Sequence, residues 1–216
     1  MLHKETVEPV LLNLLQRLFS FEELKGYVLV GGTALSLRIG NRKSIDIDLF
    51  TQDSFDGEKI LDFLRNEGFH FEVQSRSKGA VLGHINKIKV DFIRHNYPWI
   101  MPVERIEGIM MASLEDIAAM KLNAIVGSGS RLKDFVDVAF LSGYMSLSDM
   151  LNYYEQKYPD INGLIALKSL CYFDDIDFSV EIQYAHKPLR WEAIQQRIMQ
   201  MVQNPDKVYE KMQEID

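Results

Sequence analysis

A double glycine between an apolar run and a short helical segment restricts the architecture of this chain more than any other stretch. Residues 27–30 predict a buried strand, Gly31 and Gly32 follow, and residues 32–39 predict a short helix. Glycine lets the backbone approach a ligand closely, and the first turn of a helix directs free N–H groups toward an anion. The stretch is therefore typical of a phosphate-binding turn, to which the hydroxyl of Thr33 could add a donor.

The next predicted strand, residues 45–50, carries two acids. Side chains alternate along a strand, so Asp46 and Asp48 share one face and the aliphatic residues share the other. Two carboxylates about 6–7 Å apart along a strand can hold a divalent ion, and Mg²⁺ usually combines one or two carboxylates with substrate phosphate oxygens. Asp91 lies on the otherwise apolar strand predicted over 88–93. Because an unpaired buried acid is costly, an acid in such a position is usually paired or functional, and Asp91 is our candidate for a third metal-binding carboxylate.

The remaining pattern predicts a mixed α/β (α+β) fold, with a mixed β-sheet and flanking helices followed by a C-terminal helical bundle. We place the α/β core at residues 1–110 and the helical domain at residues 111–216, with the helical domain packing over a cleft. In the first half, loop and capping residues at 53–57 predict a helix over 57–66, and strands are predicted near 69–73 and over 80–85. In the second half, helices are predicted near 114–126, 131–140, 147–157 and 160–170, and a last helix is predicted to start at Pro188.

Composition limits the functional classes. The single cysteine, Cys171, rules out an internal disulfide and is typical of a reducing cytoplasm, and no apolar run reaches the roughly 18 residues of a membrane span. We therefore expect a cytoplasmic protein with no membrane partner and no targeting segment. The net charge of −7 disfavours nucleic acid, but basic residues of the first half keep a polyanionic partner open if they meet on one face. They are Arg38, Arg42, Lys43, Arg76, Lys78, Lys87, Lys89 and Arg94.

Together these motifs resemble the nucleotidyltransferase superfamily, in which Gly-Gly or Gly-Ser precedes a short helix and an Asp-x-Asp strand, with a third carboxylate on a neighbouring strand. Four blocks resemble more narrowly the AbiEii/AbiGii family, the toxins of abortive-infection, type IV toxin-antitoxin systems. They are Gly31-Gly32-Thr33-Ala34-Leu35, Arg42-x-Ser44-x-Asp46-Ile47-Asp48-Leu49-Phe50, Lys121-Leu122-x-Ala124 and Arg131-x-Lys133-Asp134-x-x-Asp137. The resemblance extends from about residue 27 to residue 141.

The resemblance implies a role for each matching residue. Asp46, Asp48 and Asp91 would be the catalytic, Mg²⁺-binding carboxylates, and Asp91 would also help to activate the attacking hydroxyl. The remaining matching residues would bind the nucleotide, and Lys121 would reach toward its phosphates. They are Gly31, Gly32, Thr33, Ser44, Lys121, Lys133 and Asp134. The structural alternative is that Lys133 and Asp137 form only an i,i+4 pair and that Asp134 does no more than orient Lys121. The helical pattern predicts that Asp134 and Asp137 point away from the apolar face of their helix.

The predicted reaction transfers a nucleoside monophosphate from a nucleoside triphosphate to an acceptor hydroxyl and releases pyrophosphate. Two Mg²⁺ ions, with Mn²⁺ as an alternative, would stabilise the entering and leaving oxygens. The acceptor is left open among tRNA, a protein hydroxyl and a small molecule such as an antibiotic, and a cognate antitoxin is a further expected partner. The competing hypothesis is a catalytically silent nucleotide-binding or partner-binding protein of the same fold.

Overall fold

A seven-stranded mixed sheet organises the first half of the chain in our computed structural model, which describes residues 1–212. The strands are β1 (Val28–Val30), β2 (Ile47–Thr51), β3 (Phe71–Ser77), β4 (Ala80–Ile85), β5 (Ile88–Arg94), β6 (Glu104–Ile106) and β7 (Ile109–Met111). Their spatial order is β3-β4-β5-β2-β1-β7-β6. The β2–β5 and β1–β7 pairs are parallel and the other pairs are antiparallel. The predicted mixed α/β architecture is confirmed.

Three α-helices belong to the same part of the chain. They are α1 (Pro9–Leu18), α2 (Gly31–Ile39) and α3 (Gly57–Asn66), and short 3-10 turns occupy Lys4–Thr6 and Glu22–Leu24. The α2 helix contacts β1 and β2, and α3 contacts β3. The α3 helix begins where Asp56 accepts a hydrogen bond of 3.0 Å from the backbone N–H of Glu58, which satisfies a free donor of the first turn. The prediction for residues 57–66 is therefore confirmed at both ends.

The second half is helical, as predicted. It contains α4 (Leu114–Gly127), α5 (Leu132–Leu141), α6 (Leu147–Lys157), α7 (Gly163–Leu170) and α8 (Trp191–Gln203). The α4 helix contacts α5, α6 and α7, and α5 contacts α8. A capping box between Ser146 and Asp149 begins α6 at the expected residue. The last helix begins at Trp191 and not at Pro188, so the predicted start was wrong by about one turn.

Contacts divide the chain into two compact units. The first contains Met1–Ile39, Ser44–Pro98 and Pro102–Ala112, and the second contains Gly40–Lys43, Trp99–Met101 and Ser113–Asp216. Two short segments of the first half of the sequence therefore belong to the helical unit. The proposed packing of a helical domain over a cleft stays a prediction.

Candidate functional site

The turn from β1 into α2 is built around Gly31. This residue has a backbone φ of +70°, in the left-handed region that glycine adopts at little cost. A Cβ atom at this position would collide with carboxylate oxygen Oδ2 of Asp48. The double glycine therefore lets the start of a helix lie directly against an acid of the Asp-x-Asp motif, and the half-buried Gly32 is the next residue of that turn.

Asp48 and Asp91 are paired residues on adjacent strands. In the parallel β2–β5 pair, the Cα atom of Asp48 is in register with that of Asp91. Residues in register across a sheet project from the same face, so the two side chains are neighbours. Asp46 lies just before β2, two residues ahead of Asp48. The strand order therefore brings a carboxylate of the motif beside the candidate third carboxylate.

Lys89 lies beside Asp91, and the charges of all three predicted acids act on its ammonium. Its ammonium lies 2.9 Å from Oδ2 of Asp91. The pKa of Lys89 is raised, first by its hydrogen bond to Asp91 and, against the opposing effect of burial, by the negative charges of Asp91, Asp48 and Asp46. Asp48 is in register with Asp91, and Asp46 lies two residues before Asp48, so we refer to the three predicted acids together as the acid cluster (Asp46, Asp48 and Asp91).

The acid cluster has the donor chemistry that a hard divalent cation prefers. Asp91 is only 4% exposed, and within residues 1–212 its Oδ1 atom has no hydrogen-bond partner. An unsatisfied carboxylate oxygen in a buried position is costly, and a cation would satisfy it. Across the same residues, however, no three His, Cys, Asp or Glu side chains already converge as a metal site. One oxygen of Asp91 is occupied by Lys89, and the metal role of the cluster stays a prediction.

Thr33 and Ser44 are internal in the structure. The Thr33 side chain is in a residue only 1% exposed, and its hydroxyl lies 2.8 Å from the Ser44 hydroxyl. The same hydroxyl donates a short hydrogen bond to the carbonyl oxygen of Asp46. Thr33 therefore joins the beginning of α2 to the segment that leads into β2. The predicted contacts of both hydroxyls with a nucleotide stay predictions.

The second unit contains a buried ionic network. The Lys121 ammonium lies 2.7 Å from Oδ1 of Asp134 and 2.7 Å from Oδ2 of Asp137. Burial alone would lower the pKa of Lys121, but the charges of Asp137 and Asp134 outweigh it, and the pKa is raised. Lys121 is thus a charged lysine held inside the helical unit. Its predicted contact with the phosphates stays a prediction, as do the nucleotide-binding roles of Asp134 and of the half-buried Lys133.

The helical pattern was wrong about the two acids of α5. Asp134 and Asp137 were expected to point away from the apolar face, yet both residues are fully buried. Arg42 explains the burial of Asp137. The Nε and Nη2 atoms of Arg42 each donate a hydrogen bond of 2.8 Å, one to each carboxylate oxygen of Asp137. Asn41 donates a third bond of 2.8 Å to Oδ1. The Asp137 carboxylate can be buried because these hydrogen bonds pair its negative charge.

The pairing of Arg42 and Asn41 with Asp137 is the part of the buried network that sequence reasoning missed. Arg42 was grouped with basic residues available to a polyanion, but it is only 3% exposed and paired with Asp137. The signal was present, since Arg42 and Asp137 both belong to the blocks that carry the family resemblance. What the sequence lacked was any indication that these two blocks meet.

Comparison with known proteins decides the family. A model of the family described as "Nucleotidyl transferase AbiEii toxin, Type IV TA system" matches residues 13–211. The chain belongs to the AbiEii family. The match of this AbiEii chain extends well beyond residues 27–141, to which we had limited the resemblance, and it includes most of the helical half.

Two further proteins resemble this AbiEii chain. The Aquifex aeolicus (strain VF5) protein aq_aa25 is 33% identical over 192 residues, which cover 84% of this chain and 89% of the relative. The crystal structure of JHP933 from Helicobacter pylori is 18% identical, covers 93% of each chain and has a TM-score of 0.54, which shows a shared fold. In the part of the AbiEii chain that the structure describes, every helix is too short or too polar to cross a bilayer.

Proposed function

We propose that this AbiEii chain is a Mg²⁺-dependent nucleotidyltransferase that moves a nucleoside monophosphate from a nucleoside triphosphate to an acceptor hydroxyl. The observation that carries the proposal is the contact of three elements at one place in the first unit. The glycine turn at Gly31 lies against Asp48, and Asp48 is in register with Asp91. An anion-binding helix start and a carboxylate pair on one sheet face are what a triphosphate and its counter-ions require.

In the proposed reaction, the acceptor oxygen forms a bond to the α-phosphorus and the bond from that phosphorus to the bridging oxygen of the β-phosphate breaks. Pyrophosphate carries the departing electron pair, and the acceptor's proton passes to a carboxylate. Asp91 is our candidate to receive it, because the family resemblance gives this strand carboxylate the role of activating the attacking hydroxyl and the structure places it beside Asp48. The backbone N–H groups at the start of α2, after Gly31 and Gly32, would orient the triphosphate.

Asp46, Asp48 and Asp91 would hold Mg²⁺, or Mn²⁺ in its place. When bound, the ion supplies charge stabilisation to the oxygens of the transferred phosphoryl group. The protein's own contribution is to hold Asp48 and Asp91 on adjacent strands of the sheet, with Asp46 just before β2, beside a turn whose positive φ favours glycine. Rigid elements keep such groups in position better than loops do.

We infer the biological setting from the family. The description of the family as a type IV toxin supports a growth-inhibiting activity controlled by an antitoxin. Our proposal keeps the cytoplasm as the place of action, on the ground of the single cysteine. A tRNA, a protein hydroxyl and a small molecule remain the acceptor classes to be tested. A catalytically silent protein of the same fold is the alternative, which the three carboxylates in one cluster disfavour.

The test is label transfer. The purified protein is incubated with Mg²⁺, each of the four α-labelled nucleoside triphosphates in turn, and a cell extract, a tRNA pool or small hydroxyl compounds. We expect one acceptor class to gain label and pyrophosphate to appear in equal amount. Asp48→Ala should abolish both signals while the circular dichroism spectrum is unchanged.

Asp62→Asn is the matched control, because Asp62 is a surface acid whose side chain is 63% exposed and paired with Arg65 on α3. It should transfer label at the rate of the unmodified protein. Nucleotide binding without pyrophosphate release for any acceptor would favour the silent alternative. Full activity in Asp48→Ala would remove the acid cluster from the mechanism.

A further inference from the structure

The Lys89 ammonium lies beside an acid to which we expect a metal cation to bind. This ammonium contacts Asp91 at 2.9 Å, and the Lys89 side chain is 42% exposed whereas that of Asp91 is 6% exposed. We propose that Lys89 is the resident counter-ion of the acid cluster in the metal-free protein, and that its ammonium must move away from Asp91 before a divalent ion can bind. The inference rests on the proposed function, because it assumes that the acid cluster binds metal.

The charge balance supports this role. Carboxylates in register on adjacent strands, such as Asp48 and Asp91, repel each other, and the Lys89 ammonium beside Asp91 offsets part of their charge. A divalent ion would seek the same oxygens and would also be repelled by the ammonium. Lys89 therefore stabilises the cluster without metal and weakens its affinity for metal, so that binding would depend more strongly on the charge that a triphosphate adds.

A cavity lies beside the Lys89 side chain. This cavity, of about 360 Å³ in the first unit, is lined by both Asp46 and Lys89. Its other lining residues are Glu8, Val10, Leu11, Ile45, His84, Lys87 and Ile88. Because the Lys89 side chain lines this cavity and is 42% exposed, it has open space beside it when it is not paired with Asp91.

Titration with Mn²⁺ in the absence of nucleotide tests the inference. The free ion is followed by electron paramagnetic resonance and the heat of binding by calorimetry. We expect Lys89→Met to bind Mn²⁺ about tenfold more tightly than the unmodified protein, because the substitution removes a positive charge that lies 2.9 Å from an oxygen of Asp91. Lys89→Arg keeps the charge and should keep the weak affinity.

Lys87 provides the matched control. It lines the same cavity, is exposed at the β4–β5 turn and is two residues from Lys89. Lys87→Met should leave Mn²⁺ affinity within about twofold of the unmodified protein, since an exposed charge is screened by solvent. Lys89→Gln serves as a second neutral variant if the methionine variant does not fold.

Thermal unfolding gives an independent measurement. Without metal, Lys89→Met should melt at a lower temperature than the unmodified protein, because the cluster has lost its counter-ion. Saturating Mn²⁺ should raise its melting temperature by more than it raises that of the unmodified protein. Equal Mn²⁺ affinity in the two proteins would overturn the inference and leave the proposed function standing. Absence of Mn²⁺ binding in both would overturn the inference and the metal dependence of the proposed function together.

Discussion

Arg42 donates one hydrogen bond of 2.8 Å to each carboxylate oxygen of Asp137, inside the helical unit. Arg42 lies only four residues before Asp46 in the sequence, so the chain between the glycine turn and the Asp-x-Asp motif includes a residue anchored to α5. Bidentate pairing of a planar guanidinium with a carboxylate is the geometry that makes such a pair specific. Asp137 is therefore best regarded as a structural residue.

Asp137→Asn should destabilise the protein by roughly 3–5 kcal/mol, because it leaves the buried charges of Arg42 and Lys121 without their shared partner. Chemical denaturation monitored by circular dichroism measures the change. Asp62→Asn, which breaks an exposed pair, should cost about 0–1 kcal/mol. A similar small cost for Asp137→Asn would show that the network contributes little.

The same substitution should change the response to acid. Burial alone would raise the pKa of Asp137, but Arg42 and Lys121 outweigh it and hold the pKa at about 2, below the ordinary value of 3.8. A carboxylate with a lowered pKa adds stability above its ordinary pKa and loses it as the pH falls toward its folded pKa. Unfolding free energy should therefore decline between about pH 4 and pH 2, and Asp137→Asn should flatten this part of the curve.

A second buried pair should respond asymmetrically. Lys157 contacts Asp116 at 2.6 Å, and Asp116 also accepts hydrogen bonds from Ser113 and from the backbone N–H groups of Ile100 and Met101. Asp116→Ala removes every one of these acceptors and leaves a buried ammonium, whereas Lys157→Met leaves a carboxylate with three other donors. We expect Asp116→Ala to cost more in unfolding free energy, by about 1–3 kcal/mol. Equal losses would contradict this account.

Gly31→Ala should impair both stability and nucleotide binding. The backbone φ of +70° costs an alanine about 1–2 kcal/mol, and the added Cβ would displace the Asp48 carboxylate. Gly68→Ala is a close control, since φ is +76° and nothing lies within 4 Å of the added Cβ. Only the Gly31 variant should lose binding of a fluorescent nucleoside triphosphate. Equal nucleotide affinity in both variants would argue against the phosphate-binding turn.

Thr33→Val tests whether the internal hydroxyl secures the motif. Valine has a similar shape but cannot donate to Ser44 or to the carbonyl oxygen of Asp46. We expect a loss of about 1–3 kcal/mol, measured by urea unfolding, because a buried acceptor is left unsatisfied. Thr33→Ser keeps the hydroxyl and should lose less. If valine is tolerated as well as serine, the hydroxyl has no anchoring role.

Local signals explain which elements could be predicted. The start of α3 at Asp56 and the capping box of α6 use residues two or three apart, so a reader of the sequence can find them. The strand β5 was predicted because its apolar and polar side chains alternate from Ile88 to Phe92. The three-residue strands β6 and β7 escaped prediction because so short a run has no measurable period, whereas the equally short β1 was found because its apolar run leads into the double glycine. The burial of Asp134 and Asp137 escaped because charged residues are normally read as surface residues.

The sequence by itself determined the glycine turn, the Asp-x-Asp strand, the family blocks and most helix boundaries, because backbone conformation and capping depend on near neighbours. Only the tertiary structure decided that Asp91 lies beside Asp48 and that Arg42 meets Asp137. These pairs are separated by 43 and 95 residues, respectively. Such contacts depend on the strand order and on helix packing, which follow from the burial of the whole chain and not from any single stretch of it.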